Sequence, residues 1–197
     1  MINKLKGQNQ IFSIGHSNHT IEKFLSLLKA FDIDVVVDVR SHPHSKYAPH
    51  FSSSDLKQEL GKSGIKYLYL GKELGGRPND EGFYDDKGYV LYNEWSQSAI
   101  FLAGIERLEH GIQNYRVAMM CSEENPVQCH RRLLITPVLI GRGIEVRHIR
   151  GDGELQFEAD FLKLEAQPSL FKSPEGIAWK STRSVLPKRQ QKNSSAS

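Results

Sequence analysis

Hydrophobic and polar positions alternate between two regimes along the chain: short unbroken apolar runs, and stripes with helical spacing. Ile11-Phe12-Ser13-Ile14, closed by Gly15, has the length and punctuation of a buried strand. Ile21, Phe24, Leu25 and Leu28 then share one helical face, with Thr20 placed as an N-cap. Val35-Val36-Val37-Asp38-Val39 is β-branched and lacks alternation, as expected of a strand covered on both faces. Leu56 and Leu60 predict a short helix that starts near Ser52-Ser53-Ser54 and stops at Gly61 or Gly64. Ile65 to Leu70 reads as a third strand. Gly71 to Gly88, with five glycines, Pro78 and five acids, reads as a long loop, and a loop of that length in a compact domain points to function. Phe101, Ile105, Leu108 and Ile112 mark a long helix, and Val117 to Met120, closed by Cys121, a fourth strand. A helix follows from about Cys129, with Pro137 expected to kink or split it. Glu145 to Ile149 gives a fifth strand, and Phe157, Phe161 and Leu164 a last helix.

This alternation implies right-handed crossovers and a Rossmann-like α/β fold: an open, mostly parallel sheet with helices on both faces, three layers, in a single domain. The expected domain covers residues 1–167. Residues 168–197 form a basic, Ser/Lys-rich extension, expected to be partly disordered, with Trp179 marking where its docking on the body stops. A chain of 197 residues can bury a core without disulfides or a structural metal. Two cysteines are too few for a secreted disulfide framework, Met1 to Gln10 lacks a signal core, and no apolar run is long enough for a bilayer. The expected setting is therefore cytoplasmic and reducing, with no membrane partner.

Charge changes the picture in one respect. The net charge is +3, but the stretch from Pro168 onward holds six basic residues against Glu175 alone, so it carries +5 and the body −2. Bulk charge does not make the body a nucleic-acid binder; the tail alone can make a weak, salt-dependent contact with phosphates.

In an open parallel sheet, ligands bind outside the carboxyl ends of the strands. The segments that follow the predicted strands are Gly15-His16-Ser17-Asn18-His19, then Arg40 through Ser45-Lys46-Tyr47, then Gly71 through Gly75-Gly76-Arg77-Pro78, then Cys121-Ser122-Glu123 through Cys129-His130-Arg131-Arg132. They hold five of the eight histidines and both cysteines, and the topology gathers them at one edge. Cys129 falls at a predicted helix start beside His130 and Arg131, where helix dipole and cation both favour a thiolate. Cys121 reads either as a second thiol of the site or as a small hydrophobe at a buried strand end. His16 is placed for a base. Arg40 ends a buried strand and needs a partner or ligand; a plain Asp38–Arg40 ion pair is not expected, because both side chains share one face two residues apart. Gly75 and Gly76 either admit a ligand to the backbone or only make the turn.

The segments Ile14-Gly15-His16-Ser17-Asn18, Val37-Asp38-Val39-Arg40, Leu74-Gly75-Gly76 and Cys121-Ser122-Glu123 through Cys129-His130-Arg131, in that order over roughly residues 11–150, resemble the family called domain of unknown function 488. The resemblance supports the fold and the site more than a reaction. One departure is Ser45-Lys46, where the family more often shows Ser-Arg; Lys lacks the bidentate fork. A weaker similarity of placement links the chain to rhodanese and cysteine-phosphatase domains, but six residues beyond Cys121 stands Val127, not an arginine that would close a phosphate loop.

The leading expectation is an enzyme in which Cys129, Cys121, His130 and His16 carry the chemistry. Arg40, Ser17, Lys46, Arg77, Gly75, Gly76, Arg131 and Glu123 would bind an anionic small molecule or nucleotide. A nucleic-acid-binding module without catalysis, with Tyr47, Phe51 or Tyr67 stacking on bases, is the second reading. A metal site from Cys121, Cys129, His130 and His16 is the third; Cys-x7-Cys-His is not a recognised zinc spacing, and the sequence requires no cofactor.

Overall fold

The structure, a computed structural model, describes residues 9–161 and 179–185. Six strands form one sheet: β1 (Gln10–Gly15), β2 (Val35–Asp38), β3 (Lys66–Tyr69), β4 (Val117–Cys121), β5 (Glu145–Ile149) and β6 (Leu155–Phe157), in the order β3-β2-β4-β1-β5-β6. The first five are parallel; β6 is an antiparallel edge on β5. Successive residues of each central strand point to opposite faces, and both faces are covered. Phe12, Ile14, Val36, Ala118 and Met120 pack on one side beneath α1 (Ile21–Ala30) and α2 (Ser53–Lys62). Ile11, Val35, Val37 and Met119 pack on the other beneath α5 (Ala99–Asn114) and residues 134–139. This is the expected three-layer α/β arrangement. Thr20 caps α1, its side chain accepting from the Lys23 N–H.

The segment expected as a loop contains structure. Gly71–Leu74 forms one helical turn, α3; beyond that segment, Tyr92–Gln97 forms α4. Leu74 of α3 packs on α5 at Gly104, where a Cβ would lie 2.8 Å from Leu74 Cγ, so only glycine lets the two helices meet. Trp95 of α4 is buried and donates from Nε1 to the Gly75 carbonyl at 3.1 Å. Between them, Tyr84 and Val90 form an antiparallel bridge around a turn whose Gly88 has φ +79°.

One further expectation is corrected. Phe157 ends β6 rather than lying on a helix; residues 158–161 are helical, and Leu164 lies outside the described residues. Near Pro137 the helix is split: Arg131–Ile135 winds as a π-type turn directly into α6 (Thr136–Gly141), with Pro137 in its first turn. Proline has no N–H, so the carbonyl of Leu133 loses its helical donor. The Trp179 indole N–H supplies one at 2.7 Å.

That contact belongs to a strap, residues 179–185, which docks on the body beyond the point expected. Lys180 bridges Leu91, the Ser181 N–H donates to the Val90 carbonyl, and the Val185 N–H donates to the Gly88 carbonyl. Residues 162–178 and 186–197, most of the basic extension, lie outside the described residues. No helix among the described residues is long and apolar enough to cross a membrane.

Candidate functional site

The carboxyl ends of β1, β4 and β2 lie side by side, and the chain leaving each is fixed by backbone bonds. The His16 N–H donates to the Cys121 carbonyl and the Ser17 N–H to the Ser122 carbonyl. A Cβ on Gly15 would fall 1.9 Å from the Glu123 carbonyl oxygen, so glycine is what allows the two loops to touch. Ser17 turns the chain away with φ 45°.

Four side chains converge at this edge. One carboxylate oxygen of Glu123 lies 3.1 Å from Cys121 Sγ and 3.2 Å from Cys129 Sγ. His130 Nδ1 lies 3.7 Å from the first sulfur and 3.9 Å from the second. His130 Nε2 lies 3.0 Å from the Val39 carbonyl, which can only accept, so Nε2 carries a proton and Nδ1 faces the sulfurs. Cys129 sits at the start of the π-type turn, its carbonyl accepting from the Arg132 and Leu133 N–H groups. Arg131, 1% exposed, donates to Cys129 Sγ at 3.3 Å, to Ser13 Oγ at 2.6 Å and to the Glu123 carbonyl.

The electrostatics split the two thiols. The hydrogen bond with Cys129 and burial together push Cys121 well up. Burial alone would push Cys129 up too, but the Cys121 thiol, Arg131 and His130 pull it well below the usual thiol range. Burial lowers His130, and the Cys129 sulfur and Glu123 carboxylate more than restore it. The two thiols are thus driven apart, Cys129 towards the thiolate and Cys121 towards the neutral thiol.

A hollow of about 210 Å³ opens on this group; Cys121, Glu123, His130, Arg77, Tyr92 and Arg183 are among the residues that line it. Among the described residues, Arg77 forms no ion pair. Arg183 of the strap reaches Glu123 Oε1 at 2.8 Å.

A sequence model of the family described as Domain of unknown function DUF488 matches residues 20–137, well over half of the chain. The chain belongs to this family. No curated protein and no solved structure matches it. The DUF488 match takes in Arg40, Arg77, Cys121, Glu123, Cys129, His130 and Arg131, and starts after the Gly15-His16-Ser17-Asn18 segment.

Within the DUF488 chain, the residues singled out from sequence separate into three groups. Cys121, Glu123, Cys129 and His130 form the cluster, and Arg77 stands on the rim of the hollow. A second group is internal. Arg40 also borders the hollow, but it does form the ion pair with Asp38 that same-face placement had argued against: Nε and Nη2 reach the carboxylate at 2.9 and 2.6 Å. Arginine is long enough to fold back along its own face. Its Nη1 donates to His16 Nε2 at 3.0 Å, so His16 carries its proton on Nδ1, which donates to the Ser17 carbonyl at 2.7 Å. Both nitrogens of the expected base are thus engaged, and burial, with Arg40 next to the ring, lowers its pKa to about 4. Arg131 is likewise an internal strut. The third group stands apart: Lys46 and Tyr47 are exposed and do not line the hollow, and Ser17 bonds its neighbour Asn18.

Gly75 and Gly76 serve close approach, but of the protein to itself. A Cβ on Gly75 would meet Ser41 Oγ at 2.3 Å, and one on Gly76 the His130 ring at 2.9 Å. The residue that sequence reasoning missed is Arg183. It lies in what read as a solvated tail, and the nearby apolar Trp179 and Val185 were the signal that this piece docks.

Proposed function

We propose that this protein is an enzyme that acts on a small anionic substrate at the carboxyl edge of its sheet, with the Cys121, Cys129, His130 and Glu123 group supplying the chemistry. One observation carries the reading: the buried thiol–imidazole–carboxylate cluster opens on a hollow whose rim bears the unpaired guanidinium of Arg77. A planar guanidinium at a pocket mouth binds phosphate, sulfate or carboxylate bidentately. The hollow, of about 210 Å³, has room for a phosphate or sulfate group. Glu123, the most exposed of the four, is the group in reach to move a proton. Arg40 and His16 act as positioning residues that fix the end of β2 against the end of β1.

The nucleic-acid reading has less support. Of the tail's cations, Lys180 pairs with Asp85 and Arg183 with Glu123, and exposed Tyr47 stands away from the hollow.

The test is a turnover screen of small phosphate, sulfate and carboxylate esters, run beside thermal unfolding in increasing phosphate or sulfate. The expected result is turnover by the wild type and anion-dependent stabilisation. Arg77→Ala should lose the stabilisation and raise KM by roughly tenfold or more, the equivalent of one lost charge-assisted bond. No turnover together with anion-independent unfolding overturns the reading.

A further inference from the structure

The cluster has a feature that thiol chemistry alone does not explain. Glu123 Oε2 approaches both sulfurs at 3.1 and 3.2 Å. A carboxylate can sit that close to two sulfurs if both are protonated, or if a cation lies between them. The neighbouring Arg131 argues against two neutral thiols. It is fully buried, and the partners it bonds are a hydroxyl, backbone carbonyls and Cys129 Sγ. A buried guanidinium needs a counter-charge, and the thiolate of Cys129 is the one it touches.

We propose that Cys121, Glu123, Cys129 and His130 together hold one tetrahedral zinc ion at the floor of the hollow. Their four ligand atoms, two sulfurs, one imidazole nitrogen and one carboxylate oxygen, all lie within 4.8 Å of one another. A zinc ion with bonds of ~2.3 Å to sulfur and ~2.1 Å to nitrogen and oxygen sets its ligands roughly 3.5–3.8 Å apart. Four of the six edges are 3.1, 3.2, 3.7 and 3.9 Å, so the ion enters with shifts of a few tenths of an ångström. Two soft thiolates exclude magnesium and calcium, and a tetrahedral sulfur/nitrogen/oxygen set suits zinc.

The surrounding shell fits as well. The Val39 carbonyl accepts from Nε2 of His130, which orients the ring and leaves the Nδ1 lone pair for the metal. Gly76 lies against the other side of that ring. Arg131 donates to the sulfur of Cys129 and offsets the negative charge that two thiolates and a carboxylate leave on a divalent ion. Glu123 is the most exposed of the four ligands, and its second oxygen is held by Arg183 of the strap, so it is the ligand an incoming anion can displace. Metal loading releases to solvent the proton held by Cys121 and changes no oxidation state.

This inference names the cofactor of the site just described and rests on that site being functional, but its test is separate. Protein expressed without a polyhistidine tag is analysed for metal by mass spectrometry, then stripped with a chelator and reloaded with zinc or cobalt(II). One equivalent of zinc is expected, together with sulfur-to-cobalt charge-transfer bands and intense visible bands of tetrahedral cobalt(II) in the reloaded protein. Cys121→Ser and Cys129→Ser should each lose the charge-transfer intensity of one sulfur and weaken zinc binding by a hundredfold or more. Glu123→Gln, at the most exposed position, should fold normally and weaken zinc by roughly tenfold. Wild type that binds less than a tenth of an equivalent and gives no cobalt bands overturns the proposal; so does zinc bound equally well by Glu123→Gln and the serine variants. Zinc without any response to phosphate or sulfate leaves the metal site standing and removes the anionic substrate. An anion response in protein that takes up no zinc or cobalt does the reverse.

Discussion

Asp38 carries more of the edge than its single charge suggests. It is fully buried and accepts from the Arg40 backbone N–H, from two Arg40 guanidinium nitrogens and from the Tyr67 hydroxyl at 2.8 Å. Arg40 in turn donates to His16 and to the Phe51 carbonyl, and the His16 ring stacks on Phe51 with centroids 4.3 Å apart. One carboxylate therefore neutralises the cation that ties β2, β1 and the turn before α2 together. Removing one member of a buried pair strands the other, at a cost of about 3–5 kcal/mol. Asp38→Ala should lose that much in urea unfolding, whereas a joint Asp38→Ala, Arg40→Leu variant should lose clearly less, because no unpaired charge stays buried. Equal losses would mean that packing rather than charge dominates at this edge. The sequence shows both residues and even their shared face. It misleads about the pairing because strand periodicity says where a Cβ points, whereas a side chain as long as arginine decides its own reach.

At the scale of elements, one of the strap's bonds stands in for a missing helical one. The Trp179 indole donates to the Leu133 carbonyl, which Pro137 leaves without its usual helical donor. Phenylalanine in its place keeps most of the apolar contact with Tyr92, whose ring centroid lies 6.0 Å away, but leaves that carbonyl to water. Trp179→Phe is expected to cost about 0.5–1 kcal/mol and to raise the rate of protease cleavage within 179–185, with cleavage fragments mapped by mass spectrometry; an unchanged rate would show that the Lys180, Ser181 and Val185 contacts suffice. The same elements show what patterning can reveal. The Val35–Val39 apolar run and the helical stripe of α1 are long enough to register. α3 spans four residues and α4 six, too short for any period, and each is held by tertiary contacts: Leu74 against Gly104, Trp95 on the Gly75 carbonyl. β6 is three residues long and is defined by its pairing to β5. The cluster is legible because strand ends and a helix start announce Cys121, Cys129 and His130. Glu123 is harder to assign, since nothing in a loop sequence distinguishes a carboxylate facing an anion from one facing two sulfurs.

The molecule as a whole has a pH dependence that follows from a histidine buried away from the site. His148 lies in β5, 1% exposed, with Nε2 2.9 Å from Glu158 Oε1 and its ring edge-on to Phe161. Burial is the largest influence and lowers its pKa. Glu158 pulls it up, but Arg131 and Arg132 oppose a second positive charge, and the net direction is down. The unfolded chain therefore takes up a proton on this ring at a pH where the folded protein does not. Stability contributed by the neutral ring is complete above the ordinary histidine pKa of about 6.5. It declines as the pH falls below that value towards the folded pKa, by no more than about 1.4 kcal/mol per pH unit for one proton. Urea unfolding at pH 7.5 and pH 5.5 should show the wild type losing stability over this range, and His148→Gln, which cannot take up the proton, should lose less. A variant with the same pH slope as the wild type would place the sensitivity elsewhere, with His16, whose pKa is lowered to about 4, as the next buried ring that acts in the same direction. The sign is fixed by burial against cations on both sides: Arg132 bonds the same Glu158 carboxylate that His148 does, so acid adds charge to a place already supplied with it.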